Sequence, residues 1–324
     1  MIRAPFPWFG GKAKAAGLIW SRLGHDIGTF VEPFAGSCAV ALNRPVMFDG
    51  WITLNDIDGN ISNFWRSMKM FPDVVAEHAT DPSNECDLHA RHLWLVNNAE
   101  RMTARLMSDP EYCEPKTAGW YAWGACVAIS GGFCSGSGPW VSEPDNEGFA
   151  MLRKSNVATS GITKSLLDLN AGRGVRRKVP SNMTRLEWLN AWFTDLSALL
   201  ESARVACGSW ERILTPNVMT LNGIAGILLD PPYSLTGAVY ANDSSTISGD
   251  VRQWCIENGD NPELRIALCG HAGEGHEHLE SIGWWCESWE KGGNRMGKDD
   301  RERIWFSPHC IPPANAVVTG GLFA

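Results

Sequence analysis

A chain of 324 residues, 44% hydrophobic and 20% charged, can bury the core of one large domain or two modest ones without disulfide or metal staples. Its net charge of −8 and pI near 5.5 count against a surface that coats phosphate backbones non-specifically, while leaving room for a local basic groove. No apolar run approaches the roughly 18 to 20 residues that span a bilayer, and MIRAPFPWFGGKAKAAG at the start lacks an apolar core before a cleavage site, so a cytoplasmic protein without a membrane partner is expected.

In chain order, Thr29–Pro33 (TFVEP) reads as a short apolar strand, and the small residues of FAGSCAVALN suit a tight turn into a helix. A second strand follows in Trp51–Asp56 (WITLND). The next stretch, GNISNFWRSMKMF, sets Ile61, Phe64, Trp65 and Met68 on one helical face. This alternation predicts a parallel sheet with right-handed crossovers. From about Pro72 to Glu201 helical pieces dominate (DLHARHLWLVNNAERMTARL, GWYAWGACVAIS, RLEWLNAWFTDLSALLESA), separated by connections too long to be simple turns. Strand and helix then alternate again: RVAC, GIAGILLD, the helix SGDVRQWCIENG, LRIALCGH, and two closing strands in WWCESWEK and RERIWFSP. The expected fold is α/β, with one sheet built from residues 1–71 and 204–324 and interrupted by a largely helical region, 72–203.

Ten cysteines lie within apolar stretches with no CxxC among them, which reads as buried thiols. Cys269, His271, His276 and His278 form one ragged group where a structural zinc site would show two paired motifs, so no metal is expected.

Chemistry concentrates at predicted strand ends, where ligands of open α/β sheets bind. After the first strand, Gly36 permits close backbone approach in EPFAGS, and Asp56 ends the second strand about twenty residues on, in the position of a carboxylate that grips ribose hydroxyls. The turn has room for an adenosine or a carboxylate group, and because GxGxxG is absent it is not shaped to hold a pyrophosphate. In ILLDPPYSL a buried strand runs into Asp230, Pro231, Pro232 and Tyr233, and neither proline can continue a ladder. Trp8, Gly10, Gly11 and Lys12 lie in WFGGK, which lacks the spacing of a phosphate-binding loop.

Together PFPWFGGKAKA, FVEPFAGSCAV, LNDIDGNI, VACGSW and LLDPPYS, in this order, resemble the adenine-N6 DNA methyltransferases of the Dam type, D12 class with the alpha order of motifs. The resemblance is close over residues 1–70 and 204–240. It implies a Rossmann-like methyltransferase sheet, S-adenosylmethionine as methyl donor and duplex DNA as substrate, with 72–203 as the inserted target-recognition region. It also implies a cofactor seat of Trp8, Gly10, Gly11, Lys12, Glu32, Pro33, Phe34, Ala35, Gly36, Ser37, Asp56, Ile57, Ser209 and Trp210. The catalytic tetrapeptide is Asp230, Pro231, Pro232 and Tyr233: the Asp230 carboxylate and the Pro231 carbonyl accept the two N–H groups of the adenine amine, and Tyr233 stacks on a base flipped from the duplex. Two positions depart from the family pattern. Cys38 stands where the family often has a second glycine, and Ser209 where it usually has an acid. Cytosine N4 or adenine in RNA would use the same chemistry, and a silent nucleic-acid binder would keep the same fold. In the inserted region, GRGVRRK offers Arg173, Arg176, Arg177 and Lys178 as DNA contacts.

Overall fold

A computed structural model describes residues 3–8, 10–128, 133–134, 174–232, 247–289 and 302–313. Seven strands form one sheet: β1 (Thr29–Glu32), β2 (Trp51–Asp56), β3 (Ala203–Cys207), β4 (Ala225–Leu229), β5 (Leu264–His271), β6 (Trp285–Glu287) and β7 (Glu302–Phe306), in the order β3-β2-β1-β4-β5-β7-β6. The first five are mutually parallel, and β7 runs antiparallel to both β5 and β6. From β1 the chain builds outward to β2 and β3, then returns to add β4 on the other side. The switch point lies at the C-terminal ends of β1 and β4, where open α/β sheets hold their ligands. The fold is the Rossmann-like α/β sheet expected from the sequence.

Side-chain alternation divides the sheet into two faces. Phe30, Ile52, Leu54, Leu228, Ala267, Cys269, Ile304 and Phe306 point to one core, and Val31, Ile227, Leu229, Ile266, Leu268 and Trp305 point to the other. The first face is covered by α1 (Ala16–Leu23), α2 (Gly59–Met70), α3 (Pro72–Ala79), α5 (Pro115–Val127) and α6 (Arg185–Leu199), which bring in Trp20, Trp65, Val75, Trp123 and Phe193. Helix α8 (Ile247–Asn258) covers the second face with Val251 and Cys255, and the short α7 (Pro216–Met219) adds Met219. The long α4 (Glu85–Ser108) packs against α2 and α5. The helices of residues 72–199 thus share a core with the sheet.

Local chemistry fixes these elements. The Asp58 side chain accepts the Asn60 amide at 2.8 Å and starts α2, whose buried face includes the predicted Ile61, Phe64, Trp65 and Met68. Thr184 and Glu187 close a capping box on α6, and Asn84 caps α4 through the Asp87 amide at 2.7 Å. One expectation is corrected. No α-helix follows β1; the chain makes only a 3-10 turn at Ala41–Asn43. Gly36 and Cys38 stand at φ +46° and +52°, and two left-handed residues so close together prevent a right-handed helix from starting there. Cys38, buried and not a glycine, holds this conformation against a cost of about 1 kcal/mol. Helix α1, unforeseen in the sequence, lies over this part of the sheet instead, with Trp20 against Phe30 at a ring separation of 4.8 Å. No helix of the described residues is long and apolar enough to cross a membrane.

Candidate active site

The turn after β1 is tied from three sides. The Gly36 amide donates to Asp56 Oδ2 at 2.9 Å, its carbonyl accepts from Trp65 Nε1 at 2.8 Å, and the Trp8 ring lies so close that a Cβ on Gly36 would sit 2.5 Å from the indole nitrogen. Glycine is required here both for its φ and for the space. Ala35 donates to the Asn55 carbonyl at 2.9 Å and Cys38 to the Ala35 carbonyl at 2.6 Å. The amides of Ala35, Gly36 and Cys38 are therefore engaged within the protein. The helix expected after this turn is absent, so no helix N-terminus presents amides here: the left-handed pair abolishes the helix, and the carboxylate of Asp56 takes the Gly36 amide.

Asp56, at the end of β2, accepts a second amide, that of Asp58, through Oδ1 at 3.0 Å. Two amides orient the carboxylate, and each of its oxygens keeps a lone pair for a further donor. Beside it Ile57 is 48% exposed, an apolar side chain left in solvent at the ligand edge of the sheet. Asn55, which the sequence reading passed over, links three strand ends: its amide donates to the Pro33 carbonyl at 3.0 Å and to the Gly208 carbonyl at 2.9 Å, and its Oδ1 is buried without a partner. A polar residue next to last in an otherwise apolar strand was the available signal. Phe34 stacks on Trp210 with ring centroids 6.2 Å apart, joining the turns after β1 and β3 on the opposite face. Ser37 is buried, while Ser209 is exposed, with Glu211 as its partner at 3.5 Å.

Across the switch point, Lys12 meets Asp230. Its Nζ lies 2.8 Å from Oδ1 and 2.9 Å from Oδ2, and it also donates to the Gly10 carbonyl at 2.8 Å. Gly10 at φ +72° turns the segment back so that its carbonyl meets the lysine, and the Gly11 amide closes the turn on the Trp8 carbonyl at 3.3 Å. Burial works against the Lys12 ammonium, but the charges of Asp230, Cys269 and Glu302 and the bond to Asp230 outweigh it, and its pKa rises. Pro231 is buried and Pro232 partly so. Glu32 ends β1 on the same sheet face, 4% exposed. Burial, with Asp230 nearby, pushes its carboxyl well above the usual range. The structure thus brings together residues predicted from four separate segments: Trp8 to Lys12, Glu32 to Ser37, Asp56 and Asp230. Tyr233 lies outside the described residues.

The basic run lies next to the N-terminal segment. Gly174–Arg176 forms a 3-10 turn whose Val175 amide donates to the Pro5 carbonyl at 2.7 Å, three residues before Trp8. Arg176, expected at the DNA surface, is turned inward. It is 6% exposed and donates to the Asp81 carbonyl at 3.2 Å, a structural tether that leaves it unable to reach a phosphate. Lys178 is exposed and Arg177 partly so, with its guanidinium 5.9 Å from the Trp192 ring centre. Arg173 lies outside the described residues. Among those residues no group of three or more His, Cys, Asp or Glu side chains could hold a metal ion, and each of the ten cysteines is a free thiol.

The seven-stranded sheet, with its carboxylates gathered at the switch point, is consistent with a Rossmann-like methyltransferase fold. Residues 8–97 match the family model described as D12 class N6 adenine-specific DNA methyltransferase, and the match supports an adenine-N6 DNA methyltransferase. It spans Trp8, Lys12, Gly36 and Asp56 and ends within α4, well before Asp230. No curated protein matches the chain.

Asp56 generates a pH prediction. Burial and the charge of Asp58 raise its pKa to about 7 against the pull of the Asp58, Gly36 and Ile57 amides. From about pH 4 to about 7 the folded chain therefore holds a proton that the unfolded chain has lost, so the contribution of Asp56 to stability falls as pH rises through that window and is constant above it. In urea titrations, the unfolding free energy of the wild type minus that of Asp56→Asn is expected to drop by on the order of 1–2 kcal/mol between about pH 5 and 8. A difference that stays flat or grows would rule this origin out.

Proposed function

We propose that the chain transfers a methyl group from S-adenosylmethionine to N6 of adenine in duplex DNA, with Asp230 and Pro231 as the acceptors that activate the amine. The observation that carries this reading is the Lys12–Asp230 pair at the switch point, beside a cofactor-type seat at Gly36 and Asp56. The residues present fit the donor. Asp56 is oriented by two amides with lone pairs left for ribose hydroxyls, Ile57 offers an exposed apolar surface beside it, and Glu32 turns a buried, unpartnered carboxylate oxygen toward the same region. When bound, S-adenosylmethionine supplies an electrophilic methyl on a sulfonium.

The protein's task is then to make a poor nucleophile competent. The lone pair of the adenine amine is delocalised into the ring, and acceptors for its two hydrogens favour the pyramidal geometry needed for attack. Asp230 can accept one of them because Lys12 keeps it ionised while leaving lone pairs on both oxygens. The Pro231 carbonyl accepts the other. Neither Pro231 nor Pro232 has an N–H to compete, and the proline rings fix the carbonyl direction, so the acceptors need little reorganisation during transfer. The base must leave the helix to reach this pocket, at a cost of a few kcal/mol that stacking and edge contacts partly recover, and Tyr233 is the stacking partner in this reading. Residues 72–203 carry target recognition, with Arg177 and Lys178 on the DNA side; Arg173 belongs to the same proposal.

The test is incubation of the purified protein with labelled S-adenosylmethionine and unmethylated duplex DNA, followed by digestion to nucleosides. Labelled N6-methyl-2′-deoxyadenosine is expected from the wild type, with transfer reduced at least about 10³-fold in Asp230→Ala while donor binding changes less than about threefold. Label in cytosine, or none in any DNA while the donor still binds, contradicts the reading.

A further inference from the structure

Elsewhere in the chain arginines meet carboxylates: Arg22 pairs with Glu287, Arg91 with Asp81 and Arg265 with Asp26. A different arrangement lies beside the N-terminal segment. Arg3, Arg176, Arg177, Lys178 and Arg185 gather there, and none of them joins an ion pair among the described residues. Burial lowers the pKa of Arg177 and of Arg185, and the charges of Arg3 and Arg176, respectively, lower them further. In a protein of net charge −8, cations crowded without carboxylates form a surface that an outside anion would relieve.

Arg176 and Arg185 hold this surface in shape. Arg176 donates to the Asp81 carbonyl at 3.2 Å, and Arg185, at the start of α6, donates to the Val175 and Arg177 carbonyls at 2.8 and 3.0 Å. The Arg177 guanidinium lies 5.9 Å from the Trp192 ring centre, and Trp192 packs on Trp188 with ring centres 5.1 Å apart. Arg3 and Lys178 are exposed, and Arg177 partly so. The turn is also fastened to the N-terminal segment. The Val175 amide donates to the Pro5 carbonyl at 2.7 Å, and Gly174, at φ +49°, lies so close that a side chain there would collide with the same carbonyl.

We propose that Arg3, Arg177 and Lys178 form a two-sided clamp on the phosphate backbone of DNA, and that the clamp sets the register of the bound strand against Lys12 and Asp230. This rests on the DNA methyltransferase reading of the chain. A phosphate between Arg3 and Arg177 removes their repulsion, and guanidinium forks bind its oxygens without reading a base. Register follows from the shared segment. The stretch from Arg3 to Lys12 spans at most about 30 Å, roughly the length of nine nucleotides of one strand. Within it Pro5 is pinned by Val175 and Trp8 lies against Gly36, so a phosphate held at Arg3 is held at a set distance from the base that enters the site.

The test measures binding of a fluorescent DNA duplex by anisotropy over a range of salt concentrations, and methyl transfer at saturating duplex and donor. In the double variant Arg3→Gln with Arg177→Gln, affinity is expected to fall about tenfold or more, and the slope of log affinity against log salt to drop by about two. Its kcat is expected to fall at least about fivefold, because the strand is no longer held in register. Thermal stability of the free protein should change little, since neither side chain holds a carboxylate. Arg3→Lys with Arg177→Lys keeps both charges and should retain most of the slope. Affinity and slope equal to the wild type overturn the clamp, and lost affinity with unchanged kcat overturns its register role. An equal loss in Arg204→Gln, which removes an exposed arginine on β3, assigns the effect to net charge and overturns the clamp as well. A wild type that binds no duplex removes the DNA reading itself, whereas a wild type that binds and methylates beside unaffected variants removes the clamp alone.

Discussion

The contact between Lys12 and Asp230 joins residues 218 positions apart and holds the site together. Asp230 follows the last residue of a strand buried on both faces, where an isolated carboxylate is expensive. Lys12 is itself buried, so each charge depends on the other, and loss of one partner leaves the other uncompensated at a cost of about 3–5 kcal/mol. The same contact fixes the N-terminal segment over the sheet. With Lys12 anchored, the Gly10 turn follows, Trp8 lies on Gly36, and Phe6 packs edge-on to Phe64 and Tyr121. A segment with little regular structure of its own thereby becomes a wall of the site.

A second constraint is the parity of the sheet. Carboxylates at the ends of β1, β2 and beyond β4 fall on the same face because strand residues alternate, and they are neighbours because the strand order changes direction at β1 and β4. The site is therefore rich in negative charge, with Lys12 as its buried ammonium. Two of these acids are held above their usual range, Asp56 by burial and Asp58, and Glu32 by burial and Asp230.

Much of this was legible in the sequence because it is local. WITLND and GNISNFWRSMKM show their periods openly, and β2 and α2 fall where those periods end. The Gly36, Asp56 and Asp230 positions were marked by strand ends running into turn residues. What stayed hidden depends on φ or on distant partners. Small residues around Gly36 suit a helix by composition, and the left-handed backbone of Gly36 and Cys38 forbids it. Arg176 has the same side chain as Arg177, and the carbonyl of Asp81 that turns it inward lies 95 residues away. Asn55 could be seen as odd in its strand, but its two carbonyl partners belong to turns whose proximity only the fold creates. The ion pair itself was beyond sequence reading, which placed Lys12 along the cofactor and base pocket and Asp230 at the base without joining the two.

The central claim is that Lys12 keeps Asp230 ionised so that it can accept a hydrogen from the amine. The rate of methyl transfer to duplex DNA at saturating donor, measured from about pH 4 to 8 for the wild type, Lys12→Arg and Lys12→Met, tests it most directly. The acid limb of the profile is expected to move up by about one pH unit or more in Lys12→Met, with activity partly recovered at high pH, and to stay near the wild-type position in Lys12→Arg. A Lys12→Met profile that is lowered equally at every pH, with its limb unmoved, would contradict the account.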